Sequence, residues 1–164
     1  MTSSTAVRSG FDTYVPIIKT EGFYGRRLTV EDLKQSSTYS LLSQLTEAPI
    51  IASSQVEAIW SAIDPSLHYI IGIFNTSNEL IAMATLFLEP KFIRGGSIVG
   101  HIEDVVVDEP YRRHGFGTQM IKNLINIARE SGAYKVILDC NDKNLPFYGQ
   151  CGMSRKENHC GIYL

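Results

Sequence analysis

The sequence predicts a mixed α/β fold, on three observations. Two apolar, β-rich runs at residues 68–75 and 79–88 flank Thr76, Ser77 and Asn78, which reads as a hairpin with a short loop. A β-branched run ending Val105, Val106, Val107 leads through a turn into an amphipathic helix and a further strand, the pattern of a βαβ unit. The chain has 164 residues, 44% of them hydrophobic, enough to bury one full core and too few for a second domain.

Each element follows from local pattern. Residues 23–28 read as the first strand, and Thr29 followed by Asp32 is a capping signal for a helix running to about residue 45. Ser54 with Glu57 repeats that signal before Val56, Ile59, Trp60 and Ile63, a second amphipathic helix that places Trp60 in the core. After the hairpin, residues 90–96 form a loop and residues 99–107 the next strand. Across residues 115–131, Met120, Ile121, Leu124, Ile127 and Ala128 recur at helical spacing, with Gly132 as the stop. Residues 135–139 read as a short strand, residues 144–151 as a short helix ending at Gly152, and the tail to Leu164 as a last strand. The expected order is β α α β β β α β α β. Ligands of such a sheet sit beyond the carboxyl ends of its parallel strands. The Ser- and Thr-rich residues 1–20 are expected to form a flexible arm, and residues 21–164 a single domain.

Composition narrows the function. A net charge of −2 argues against nucleic acid or an anionic membrane as principal partner, so any anion site must be local. No apolar run is long enough to span a bilayer and the first ten residues lack a secretory pattern, so a soluble intracellular, most simply cytoplasmic, protein is expected. Cys140, Cys151 and Cys160 suggest neither a disulfide framework nor a metal site.

The segment Val105, Val106, Val107, Asp108, Glu109, Pro110, Tyr111, Arg112, Arg113, His114, Gly115, Phe116, Gly117, Thr118 carries most of the functional information. Amides that open a helix have no intrahelical partner, the helix dipole adds positive potential, and glycines let an anion approach the main chain. A pyrophosphate fits. The dinucleotide fingerprint fails, because its third glycine position is Met120, and no Gly-Lys-Ser/Thr of a Walker loop follows. The competing reading is a tight strand-to-helix turn whose glycines only relieve crowding.

With Arg112-x-x-Gly115-x-Gly117 followed by a strand and then by Asn144, Phe147 and Tyr148, the chain resembles the GNAT superfamily of N-acetyltransferases. Within it the resemblance is to the glucosamine-6-phosphate N-acetyltransferases, over residues 22–152. Gly22, Phe23, Tyr24, Leu45, Thr46, Glu89, Pro90, Lys91, Phe92, Ile93, Arg94, the segment 100–107, Tyr134, Lys135, Leu138, Asp139 and Cys140 carry it. The resemblance implies the acyl-CoA N-acyltransferase fold, with a mostly antiparallel central sheet flanked by helices. It implies acetyl-CoA as donor and glucosamine 6-phosphate as acceptor on the route to UDP-N-acetylglucosamine, and a homodimer, with C-terminal strands exchanged, whose acceptor site lies near the interface. Main chain of Val105, Val106 and Val107 would hold acetyl and pantetheine, and Arg113 to Thr118, preceded by Arg112, the pyrophosphate. Asp139 and Asn144 would lie along the cofactor, Tyr148 beside its sulfur. Thr46, Lys91, Phe92, Ile93, Arg94, Glu103, Asp104, Val105, Tyr134 and Lys135 match positions contacting the phosphosugar. The family carries an Arg near its C-terminus, whereas this chain ends Gly161, Ile162, Tyr163, Leu164; Lys91, Arg94 or Lys135 would have to compensate.

Acetyl transfer from a thioester needs a neutral amine, an oxyanion donor and stabilisation of the departing thiolate. Adjacent strand residues face opposite sides, so Glu103 and Asp104 share one pocket only if a β-bulge intervenes. That bulge is therefore expected, with an amide near Val105 freed for the thioester oxygen. Tyr148 is the candidate at the leaving sulfur, Glu103 at the amine proton, and Asp139 at the amine's position. Full proton transfer from a tyrosine of pKa about 10 to a thiolate of pKa about 8.5 is uphill by roughly 2 kcal/mol, so a hydrogen bond suffices. Packing alone would equally account for Phe147 and Tyr148. His101 and His114 lie near the site with no assigned role. Alternative functions are transfer to a protein, peptide or polyamine amine, or a non-catalytic CoA-binding module; the paired cations Lys91 and Arg94 favour the phosphosugar.

Overall fold

A computed structural model describes Ile18 and residues 20–163. The expected N-terminal arm lies almost wholly outside the described residues.

Five strands form one sheet in sequential order: β1 (Phe23–Arg27), β2 (His68–Asn75), β3 (Leu80–Pro90), β4 (Ile98–Val107) and β5 (Ala133–Ile137). The first four are antiparallel and β5 runs parallel to β4. The parallel pair needs a crossover, which is α4 (Phe116–Glu130). Its apolar stripe buries Met120, Ile121, Leu124, Ile127 and Ala128 against Ile71, Ile73, Ala84, Leu86 and Ile102. The opposite face of the sheet is covered by α1 (Val30–Leu33) and α2 (Ser36–Leu42), where Leu41 packs with Leu28, Phe74, Met83 and Val106. The remaining helices are α3 (Ser53–Ala62) and α5 (Leu145–Gln150).

Thr29 forms the expected capping box with Asp32, and Arg26 binds the same carboxylate through two bonds of 2.6 and 2.7 Å. The single helix expected after it is instead two. Gln35 is extended, its side chain bonds the Glu31 carbonyl at 3.1 Å, and the Thr38 hydroxyl takes the Asp32 carbonyl at 2.6 Å. Those side chains satisfy the carbonyls that end α1, which lets the chain stop and restart. The second capping signal also misplaced its residue. Ala52 caps α3, Ser54 lies inside the first turn, and Glu57 pairs with Lys34 at 2.7 Å rather than reaching back to the cap. Trp60, expected in the core, is only half-buried, because α3 packs at the periphery and buries Val56 alone.

The last correction concerns the tail. Residues 151–163 contain no strand. Ser154, Arg155, Lys156, Glu157, Asn158 and His159 offer no apolar face for a sheet to bury, so β5 remains the edge. β5 itself sits two residues earlier than expected, and β3 runs on through Pro90, where the expected loop began.

Candidate active site

The expected bulge lies in β4. Met83 pairs with Val106 and Thr85 with Glu103, so Asp104 and Val105 together face Ala84, and Asp104 takes a left-handed φ of 52°. The extra residue reverses the phase of the strand. Ile102 and Val105 both point at the α4 side, three positions apart, while Glu103 and Asp104 are both exposed. A bulge leaves a residue outside the ladder, so one amide of the Asp104–Val105 pair has no place in it. On its other edge β4 pairs with β5 only as far as His101, and residues 102–107 have no strand beside them among the described residues. That stretch of backbone is open to an extended ligand.

Beyond Val107 the chain turns through Glu109–Tyr111 and reaches α4 with Arg113 at φ 67° and Gly115 at φ 82°. Gly115 is the N-cap and supplies no side-chain cap, so the amides that open α4 are left for water or a ligand. The two glycines have different duties. Gly115 is required by its left-handed φ, whereas a Cβ on Gly117 would stand 3.1 Å from the Phe147 ring. Relief of crowding thus holds for Gly117, and the open helix terminus for the segment as a whole. Arg112 is exposed but tethered, its Nε donating to the Val107 carbonyl at 2.9 Å and a terminal nitrogen to Gln44 at 2.8 Å. Arg113 is exposed, and His114 bonds the Arg112 carbonyl through Nδ1 at 2.9 Å.

Glu103, Asp104 and Asp139 stand close enough to raise the Glu103 pKa, although desolvation is the larger cause. Tyr148 is half-buried against Phe147, and burial together with Cys140, Cys151 and Glu103 raises its phenol too. Asp139 pairs with His159 of the tail at 2.9 Å. The site therefore combines a β-bulge at Asp104–Val105, a phenol kept protonated at neutral pH and a carboxylate with raised affinity for protons.

The acetyltransferase (GNAT) family model matches residues 35–153. This chain belongs to that family. The glucosamine 6-phosphate N-acetyltransferase of Trypanosoma brucei brucei is 40% identical over 137 residues, 82% of this chain and 92% of that protein. A probable enzyme of the same name from Oryza sativa is 37% identical, over 85% of this chain and 86% of the relative. The crystal structure of the Arabidopsis thaliana glucosamine-6-phosphate N-acetyltransferase superposes with a TM-score of 0.82 at 35% identity, covering 87% of this chain and 99% of that one.

In this GNAT chain, of the residues expected at an acceptor, Arg94, Tyr134 and Lys135 come together. Arg94, at the tip of the β3–β4 loop with φ 50°, lies over the Tyr134 ring at 4.9 Å, and Lys135 Nζ is 5.8 Å from the same ring. Neither cation forms an ion pair among the described residues. Lys91 does: it pairs with Glu89 at 2.5 Å, and the other oxygen of Glu89 meets His101 Nε2 at 2.9 Å. Phe92 and Ile93 are strongly exposed at the loop tip, Thr46 is exposed just beyond α2, and Asn144 is the N-cap of α5. Sequence reasoning passed over Gln44, the Glu89–His101 pair and His159. Their partners lie 12 to 68 residues away, where local pattern carries no signal.

A groove of about 720 Å³ between α1, α2 and the β2–β3 turn is the competing place for a ligand. Glu31, Asp32, Glu79 and Asp108 line it, and that charge repels a diphosphate.

Proposed function

We infer that this acetyltransferase moves the acetyl group of acetyl-CoA to the amine of glucosamine 6-phosphate, yielding N-acetylglucosamine 6-phosphate and CoA by direct attack in a ternary complex. The observation that carries the reading is the Asp104–Val105 bulge beside the uncapped start of α4, with Glu103 and Tyr148 at the same place. Identities of 37–40% to enzymes of that name, over more than four-fifths of each, support the acceptor.

The diphosphate of the donor would lie on the amides of Arg113, His114, Gly115, Phe116, Gly117 and Thr118, and its pantetheine along Val105, Val106 and Val107, past Asn144. Arg112 fixes the loop rather than meeting the anion. The neutral amine attacks the thioester carbon, forming the C–N bond, while the bulge amide near Val105 donates to the developing oxyanion. Glu103 accepts the amine proton, directly or through water, and Asp139 orients the amine. As the C–S bond breaks, Tyr148 donates a hydrogen bond to the sulfur, which leaves as a thiolate and takes a proton from solvent, while Glu103 returns the amine's proton to solvent. Burial raises the Tyr148 phenol further above a thiol, which favours hydrogen bonding over full transfer.

Arg94 and Lys135, which form no ion pair among the described residues, would hold the sugar phosphate, with Thr46, Phe92, Ile93 and Tyr134 around the ring; Lys91 is neutralised by Glu89. The product suits a step toward UDP-N-acetylglucosamine. A homodimer fits the open edge of β5 and the exposed Phe92, Ile93, Tyr134 and Ile137 beside it. No helix among the described residues is long and apolar enough to cross a membrane, and the three free thiols suit a reducing, cytoplasmic setting. A thiol-release assay comparing glucosamine 6-phosphate with glucosamine tests the acceptor. The phosphorylated sugar should react at least about tenfold faster, an advantage of the size of one lost charge-assisted contact, and Arg94→Ala should erase it. Equal rates for the two sugars would discard the assignment.

A further inference from the structure

The corner between β4 and α4 is tied to the segment after α2 by the side chain of Gln44. Gln44, two residues past the end of α2, places its carboxamide against three groups of the loop. Its Nε2 donates to Asp108 Oδ1 at 2.6 Å, and its Oε1 accepts from the Glu109 amide at 3.1 Å and from Arg112 at 2.8 Å. Arg112 in turn donates to the carbonyl of Val107, the last residue of β4. One amide therefore ties together the end of the strand, the turn and the arginine that precedes the left-handed Arg113.

The polarity of the amide is specified by its neighbours. A carboxylate must be met by the NH2 end, and a main-chain N–H and a guanidinium by the oxygen. Leu45 and Thr46 follow immediately, so the same segment that borders the acceptor side also sets the loop on the donor side.

We propose that Gln44 is a positioning residue for donor binding: through Asp108, Glu109 and Arg112 it sets the loop whose amides receive the coenzyme diphosphate. It touches neither substrate. This rests on the donor site described under Proposed function, and the experiment separates the two. Gln44→Glu keeps the size and the two donors to Oε1 but turns a carboxylate toward Asp108. Combining it with Asp108→Asn restores a donor opposite the new oxygen, with the same geometry and reversed polarity.

CoA is titrated calorimetrically into each form, and the KM for acetyl-CoA and kcat are measured alongside. Gln44→Glu should weaken CoA and raise the acetyl-CoA KM by about fivefold, as expected for one disrupted hydrogen-bond network at a partly solvated corner, with little change in kcat. The double variant should recover to within about twofold of the parent. A merely structural role would reduce the fraction of active protein and leave the affinity of the remainder unchanged. Parent-like CoA affinity in Gln44→Glu, or no recovery in the double variant, overturns the proposal while leaving the donor site standing. Absence of CoA binding in the parent protein overturns both.

Discussion

Partial desolvation of the exposed Glu103 and burial of Tyr148 act in the same direction but serve opposite tasks. Desolvation disfavours an anion, so it strengthens the grip of Glu103 on a proton and keeps Tyr148 from releasing one. A carboxylate that works in its charged form loses activity as pH falls through its pKa, and for Glu103 that point is raised from its ordinary value by desolvation, to which Asp104 and Asp139 add. The amine must also shed a proton, so two acid-side ionisations are expected in kcat/KM for the parent and one for Glu103→Gln. A Gln variant that retains both ionisations removes Glu103 from proton handling. For Tyr148→Phe, kcat should fall by roughly ten- to a hundredfold, the worth of one hydrogen bond to a charged sulfur, with the KM for acetyl-CoA little changed. Unchanged turnover would reduce Tyr148 to its packing against Phe147.

At the level of elements, the bulge in β4 was legible because Glu103 and Asp104 are neighbours that both look functional, and a regular strand cannot aim both at one pocket. The hairpin and α4 were legible for a similar reason: alternation and helical spacing are local, and burial follows them. The break between α1 and α2 was not, since it depends on side chains of Gln35 and Thr38 reaching carbonyls that a helical reading assumes are already used. Gly117 shows the limit of motif reading. Its spacing from Gly115 suggested ligand approach, yet its neighbour is Phe147 on α5. A methyl at that position meets the ring at 3.1 Å, so Gly117→Ala should push α5 and carry Tyr148 with it. The expected result is a kcat lowered by about tenfold or more with a melting temperature reduced by only a few degrees, given a packing cost of about 1–2 kcal/mol. A full kcat in a well-folded Gly117→Ala variant would show that α5 placement does not matter to the reaction.

For the whole molecule, two cores on opposite faces of one sheet brace β4, and β4 and β5 stop pairing at His101. The charge arrangement follows the same division. Acidic residues line the groove beside α1 and α2, whereas the uncapped helix start and the pair Arg94 and Lys135 lie in other parts of the fold. Sequence captured this layout as far as it is written in strand and helix order. The Gln44 bridge and the fold of the tail over Asp139 depend on contacts between distant segments, for which residues 44 and 159 give no local sign. The central claim is that backbone amides at the start of α4, set by the β4 corner, hold the coenzyme and aim its thioester past the Asp104–Val105 bulge. A crystal structure of the protein grown with CoA tests it most directly. The account requires the diphosphate on the main chain of residues 113–118 and the pantetheine arm beside Val105, Val106 and Val107, with the sulfur at Tyr148. Coenzyme lodged in the acidic groove beside α2, with the α4 amides still facing water, would contradict it.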